Sequence, residues 1–112
     1  MTASPWSFPF DNALDAAARS ELRFGGVLRR GTLLLGLYAP RGNDPQTPHT
    51  QDEVYVVVSG TGEFVRGSER ASFGPGDALF VPAGDEHRFE NFSDDFAAWV
   101  VFYGPQGGEV DV

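Results

Sequence analysis

His49 and His87 are the only imidazoles in this 112-residue chain, and each sits in a glycine-anchored, strand-like stretch with metal-site spacing. The first stretch reads Pro48-His49-Thr50-Gln51-Asp52-Glu53-Val54-Tyr55-Val56-Val57-Val58-Ser59-Gly60 and places a carboxylate, Glu53, four residues after His49. Strand side chains alternate between faces, so a regular strand puts His49, Gln51, Glu53, Tyr55 and Val57 on one side. A histidine and a carboxylate on one face can converge on a single ion. Two imidazoles and one carboxylate form a facial set that leaves coordination positions open for water, dioxygen or a chelating substrate.

Such a site needs a frame of strands. The chain breaks into short β-type runs at 22–30, 32–39, 53–59, 62–66, 69–73, 78–82, 87–92 and 96–103, separated by Gly, Pro and Asp. Many short strands with frequent turn signals predict a sandwich or barrel. The run from Glu53 to Val58 is dense in β-branched and aromatic residues, as in a strand buried on both faces. Ser59-Gly60-Thr61-Gly62 and Gly74-Pro75-Gly76-Asp77 read as turns. No helix follows Gly60-Thr61-Gly62, so it is not a phosphate loop.

The one helix candidate runs from Asp11 to Leu22, where Ala16-Ala17-Ala18 favours helix and Asp11 or Asn12 supplies a cap; an extended arm is the alternative. Trp6, Phe8 and Phe10 alternate with Ser7 and Pro9 and read as an edge-lying arm, capping its own barrel or crossing to a second subunit. Residues 1–21 are therefore read as an N-terminal arm and residues 22–112 as one barrel domain.

Composition removes several function classes. The net charge of −8 opposes nucleic-acid or anionic-membrane partners. All eight basic residues are arginine, so Schiff-base chemistry is excluded. With no cysteine, thiol nucleophiles, disulfides and thiolate metal sites go too. No apolar run approaches the ~20 residues of a membrane span. The first residues carry neither the basic nor the apolar region of a signal peptide, so the sequence predicts a cytoplasmic protein.

The second stretch carries Gly76, Pro82, His87 and Asn91. Together the two stretches resemble the paired motifs of the cupin superfamily, in particular its small single-domain bacterial type, over roughly residues 31–104. The second family motif is matched at all four fixed positions. The first is matched at His49, Glu53 and Gly60, but Thr47 stands where its first histidine belongs.

The resemblance implies an all-β double-stranded β-helix, the jelly-roll barrel. It also implies a divalent ion held by His49, Glu53 and His87, with His87 arriving from a neighbouring strand; Fe, Mn, Zn and Ni are not distinguished. The usual fourth ligand is missing at Thr47. Gln46 and Gln51 are the nearby oxygen donors, as a further ligand or as outer hydrogen-bond partners. Gln51 has the right strand parity, whereas Gln46 requires the loop before Pro48 to bend inward. Parity with the two histidines also places Tyr55 and Phe89 in the interior as pocket lining, which suits a small, largely apolar or planar ligand.

The function implied is a metal-dependent small-molecule enzyme, either an Fe or Mn dioxygenase or a Lewis-acid isomerase or lyase. The alternative is a non-catalytic small-molecule binding or sensing module, since the fold hosts many chemistries. No catalytic residue is assigned. A homodimer is expected, with the Trp6–Phe10 segment contributing.

Overall fold

The computed structural model describes residues 6–110. Eight strands follow one short helix α1 (Phe10–Ala18): β1 (Phe24–Arg30), β2 (Leu33–Tyr38), β3 (Asp52–Ser59), β4 (Gly62–Arg66), β5 (Glu69–Phe73), β6 (Ala78–Val81), β7 (His87–Glu90) and β8 (Ala97–Tyr103). Every strand pairing is antiparallel. The strands form a five-stranded sheet, β1-β2-β8-β3-β6, facing a three-stranded sheet, β5-β4-β7. The last strand returns to lie between β2 and β3, and β7 returns to β4, which is the crossing pattern of an all-β jelly roll. No helix among the described residues is long and apolar enough to cross a membrane.

The space between the sheets is filled mainly by rings: Tyr38, Tyr55, Phe64, Phe73, Phe89 and Phe96, with Val57, Val81 and Val100. Strand alternation sends Glu53, Tyr55 and Val57 inward, each no more than 2% exposed. The outer face of β3 departs from expectation. Val54 is half-buried and Val56 is 38% exposed, so β3 is not buried on both faces. The reason is the placement of α1, which covers the other half of the sheet.

That helix buries Ala13 and Ala17 against Leu37, Ala39 and Ala97, with Phe10, Leu14, Val27 and Trp99 at the margin. Alanines let it lie very close to β1, where a Cβ on Gly25 would come 2.8 Å from the backbone nitrogen of Ala17. Phe10 packs edge-on against Trp99 of its own barrel, at 6.4 Å between ring centroids, while Trp6 stays 89% exposed. The segment from Phe10 onward is thus a packed helix rather than an extended arm; residues 1–5 of the predicted arm lie outside the described residues.

Asp11 and Asn12 do not cap the helix. Its N-cap is Pro9, without a side-chain hydrogen bond, and Asp11 lies in the first turn, where its charge suits the helix dipole. The helix ends before Leu22 because Ser20 Oγ accepts the Leu22 N–H (3.2 Å) and Arg23 turns into the left-handed region at φ 60°.

Gly60 closes the first motif for two physical reasons. Its φ is +86°, and a Cβ there would lie 2.5 Å from Phe96 Cα. Left-handed strain on a non-glycine residue costs about 1–3 kcal/mol, and the backbone clash adds to it. Gly60→Ala is therefore expected to lower the urea midpoint with the denaturant slope unchanged. A loss below about 0.5 kcal/mol would show that this turn relaxes freely.

Candidate metal centre

The two sheets bring together residues far apart in sequence. Glu53 lies near the start of β3, in register with Val81 of β6 and Phe102 of β8. His87 opens β7 on the facing sheet, opposite Arg66. His49 comes from the loop that precedes β3. One ligand atom from each of His49, Glu53 and His87 lies within 4.8 Å of the others. Glu53 Oε1 is 2.8 Å from His87 Nε2 and 3.9 Å from His49 Nε2. The side chains of Glu53 and His87 are fully buried, and that of His49 is 34% exposed.

Backbone contacts aim these groups. His87 Nδ1 meets the Asp85 carbonyl at 2.9 Å, which directs Nε2 inward. The His49 carbonyl accepts the Gly84 N–H at 2.8 Å, tying its loop to the β6–β7 turn. Asp52 is buried beside Glu53, and its carboxylate accepts the N–H groups of Glu109 and Ala83, each at 2.9 Å. Those two bonds hold its carboxyl below the usual carboxylate range.

Gln46 and Gln51 were both open as oxygen donors at this centre, Gln51 by strand parity and Gln46 by an inward bend of its loop, and of the two it is Gln46 that lies beside the histidines. β3 begins only at Asp52, so strand alternation does not extend back to residues 49–51. Gln51 Nε2 instead donates to the carbonyls of Thr32 and Gly104, both at 2.9 Å. The loop before Pro48 does bend inward. Gln46 Oε1 accepts the Tyr55 hydroxyl at 3.0 Å and lies 3.2 Å from His49 Nε2 and 3.1 Å from His87 Nε2.

Asp44, which sequence reading passed over, organises that bend. Its carboxylate accepts Gln46 Nε2 (2.6 Å), the Gln46 N–H (3.2 Å), the Phe89 N–H (2.8 Å) and the Tyr38 hydroxyl. A lone aspartate in a Gly-Asn-Asp-Pro loop carries no signal distinguishing it from an ordinary turn residue.

Tyr55 lines the cavity, with its hydroxyl 3.1 Å from His87 Nε2. Phe89 does not line it. Its ring packs against Tyr55 (4.9 Å), Phe64 (5.0 Å), Phe73 (5.5 Å) and Phe96 (4.6 Å) in the core, because shared parity with His87 puts it inside but one layer further down.

The centre holds more acceptors than donors. Both oxygens of Glu53 are buried, and Oε1 is hydrogen-bonded only while His87 Nε2, 2.8 Å away, carries a proton. An unsatisfied buried polar group costs about 1–3 kcal/mol. With Nδ1 of His87 directed at a carbonyl, its Nε2 faces a carboxylate oxygen and an amide oxygen, and only a proton or a cation reconciles them. The nitrogen and oxygen donors therefore fit a divalent ion.

Burial lowers the His49 pKa despite the nearby Glu53 carboxylate. For His87 burial acts in the same direction, but Glu53 and the Asp85 carbonyl outweigh it and raise the pKa above the ordinary imidazole value. Burial, reinforced by Glu53 and Asp44, holds the Tyr55 phenol well above its usual range.

The sign of the pH dependence follows from His87. In the ion-free protein its raised pKa contributes stability that is full below the unfolded imidazole value and lost as pH rises through the folded value. An ion needs the neutral ring, so binding displaces that proton. Apparent affinity is expected to climb with pH through and beyond about 6.5, by up to about tenfold per unit while one proton is displaced. His49, shifted downward, adds nothing there. Isothermal titration across pH in buffers of different ionisation enthalpy measures the proton count. Affinity independent of pH above about 6 contradicts this assignment.

A cavity of about 560 Å³ reaches the centre at Gln46, His49 and Tyr55. Phe24, Leu34, Tyr38, Val100 and Phe102 supply its mostly apolar walls, and its described lining residues include no Arg, Asp or Glu.

Comparison with known proteins identifies the family. The Cupin_2 family model, a cupin domain, matches residues 34–103. An uncharacterized protein of Streptomyces coelicolor is 42% identical over 102 residues, covering 89% of this chain and 97% of that protein. The crystal structure of a Ralstonia eutropha protein, described provisionally as a mannose-6-phosphate isomerase, superposes with a TM-score of 0.64 at 26% identity, covering 73% of this chain and 83% of that one. A Cupin 2 conserved barrel domain protein from Salinispora arenicola superposes with a TM-score of 0.62 at 23% identity, over 91% of each chain.

Proposed function

The chain belongs to the Cupin_2 family, and from that premise we propose that it is a divalent-metal-dependent protein acting on a small, largely apolar molecule. Of the chemistries open to such a centre, an Fe or Mn dioxygenase or a Lewis-acid isomerase or lyase suits the residues best. One observation carries the reading: the fully buried carboxylate of Glu53, 2.8 Å from His87 Nε2, faces two imidazoles beside an apolar cavity. His49, Glu53 and His87 would hold the ion. When bound, it supplies Lewis acidity and, for iron or manganese, reactivity toward dioxygen.

The chain's own groups do the rest. The apolar walls exclude water and favour a ligand with little charge, in a volume typical of small-molecule sites at about 300–1,000 Å³. The described lining residues offer no cation for a phosphate, which argues against a phosphorylated sugar of the kind named for the Ralstonia protein. Tyr55, kept as a neutral phenol, holds a proton at the cavity wall. The same shortage of charged lining groups supports a second reading, a non-catalytic binding or sensing module.

Nitric oxide tests the dioxygenase reading. The protein is loaded anaerobically with Fe(II) and exposed to nitric oxide while electron paramagnetic resonance is recorded. The dioxygenase reading expects an iron–nitrosyl signal. Loaded protein without that signal leaves the Lewis-acid and binding readings.

We propose a homodimer as the working unit. Val56 on β3 and Phe80 on the neighbouring edge strand β6 are exposed large apolar residues, as is Trp6. Open edges and apolar patches are the usual seats of association. Light scattering on the full chain expects twice the 12.1 kDa chain mass; a monomer at tens of micromolar (roughly the range where weak patches associate) removes the idea.

A further inference from the structure

We propose that Gln46 is a fourth protein ligand of the metal, binding through its amide oxygen, and that Asp44 holds it in that orientation. This rests on the metal-dependent reading above and deepens it, because it assigns the donor that replaces the histidine absent at Thr47.

The first support is spacing. Metal–donor bonds of about 2.1 Å at right angles place neighbouring donor atoms about 3 Å apart. Gln46 Oε1 lies 3.2 Å from His49 Nε2 and 3.1 Å from His87 Nε2, and Glu53 Oε1 lies 2.8 Å from His87 Nε2. These separations therefore match those within a single coordination shell.

The second support is orientation. An amide has two ends, and only the oxygen can bind a cation. Gln46 Nε2 is committed to Asp44 at 2.6 Å, which turns Oε1 toward the histidines. Asp44 is itself fixed by the Phe89 N–H at 2.8 Å and by the Tyr38 hydroxyl, so the loop is anchored two residues from His87 on β7. The Tyr55 hydroxyl, 3.0 Å from Oε1, fixes the amide from the other side. The resulting set of two nitrogens and two oxygens is harder than one with a third imidazole. It favours Mn(II) and Fe(II) relative to softer ions.

The test uses Mn(II) alone and counts coordinated waters by oxygen-17 relaxation, alongside affinity by titration. Four protein ligands on a six-coordinate ion leave about two waters in the wild type. Gln46→Ala is expected to bind about three, with affinity down about 10–100-fold, whereas Gln46→Glu retains about two. Asp44→Asn is expected to weaken binding about tenfold, because it frees the amide to rotate. About three waters on the wild-type ion overturns the assignment without touching the metal-dependent reading, and needs no variant to fold. A Gln46→Ala affinity within about threefold of wild type overturns it also. Absence of Mn(II) binding by the wild type overturns both.

Discussion

Glu53→Gln is expected to weaken divalent-ion binding by more than about 100-fold while leaving the barrel folded. Loss of an outer partner of a metal ligand typically costs 10–100-fold, so loss of the one charged ligand should exceed about 100-fold. The fold survives because, at a pH above the His87 pKa, Glu53 contributes little to the ion-free protein. Its Oε1 lies 2.8 Å from His87 Nε2, a bond that needs a proton on that ring, and its Oε2 is buried. A neutral amide of the same shape removes a buried charge, and His87 can become neutral near pH 7. Thermal unfolding of ion-free Glu53→Gln at pH 8 should therefore match wild type within about 1 kcal/mol, while added ion raises the wild-type transition only. Equal metal-induced stabilisation of both proteins would remove Glu53 from the site.

His87→Ala is expected to lose the ion as well, but at a structural cost that Glu53→Gln avoids. Among the described residues, truncation deletes the only group within ion-pair distance that is as deeply buried as Glu53. Breaking a buried pair by removing one partner typically costs about 3–5 kcal/mol, since the other charge is left uncompensated. The jelly-roll core is built from rings and valines elsewhere, so the variant should still fold. Combining the two changes tests the cause. In a Glu53→Gln background the cost of His87→Ala should shrink by about 1–3 kcal/mol. Urea unfolding of the ion-free set measures this, and strictly additive losses would place the cost in packing rather than charge.

The strands were legible because their signals are local. Runs of alternating apolar residues end at Gly60, Gly76 and Pro82, where the backbone turns, and the observed strands differ from the predicted runs by at most two residues at either end. The helix was legible in its alanines but not in its ends. Pro9 rather than Asp11 starts it, and a serine turn at Ser20 stops it before the apolar Leu22.

At the centre, motif spacing named His49, Glu53 and His87, and the fold brings these three together. Parity misled where regular strand gave way to loop. It favoured Gln51, which lies just before β3 begins, and it cannot see a loop that bends Gln46 inward. Asp44 was invisible for the same reason, since two of its four hydrogen bonds close its own loop and the other two reach β2 and β7. Parity also counted Phe89 as pocket lining, because alternation reports the face of a sheet and not the depth along it.

The central claim is that this barrel holds a divalent ion at His49, Glu53 and His87. The most direct measurement is elemental analysis of untagged protein, incubated with divalent ions at pH 8 and passed through gel filtration. The account predicts about one ion per chain in the wild type and a loss of that ion in Glu53→Gln and His87→Ala. Fewer than ~0.1 ion per chain in folded wild-type protein would contradict it.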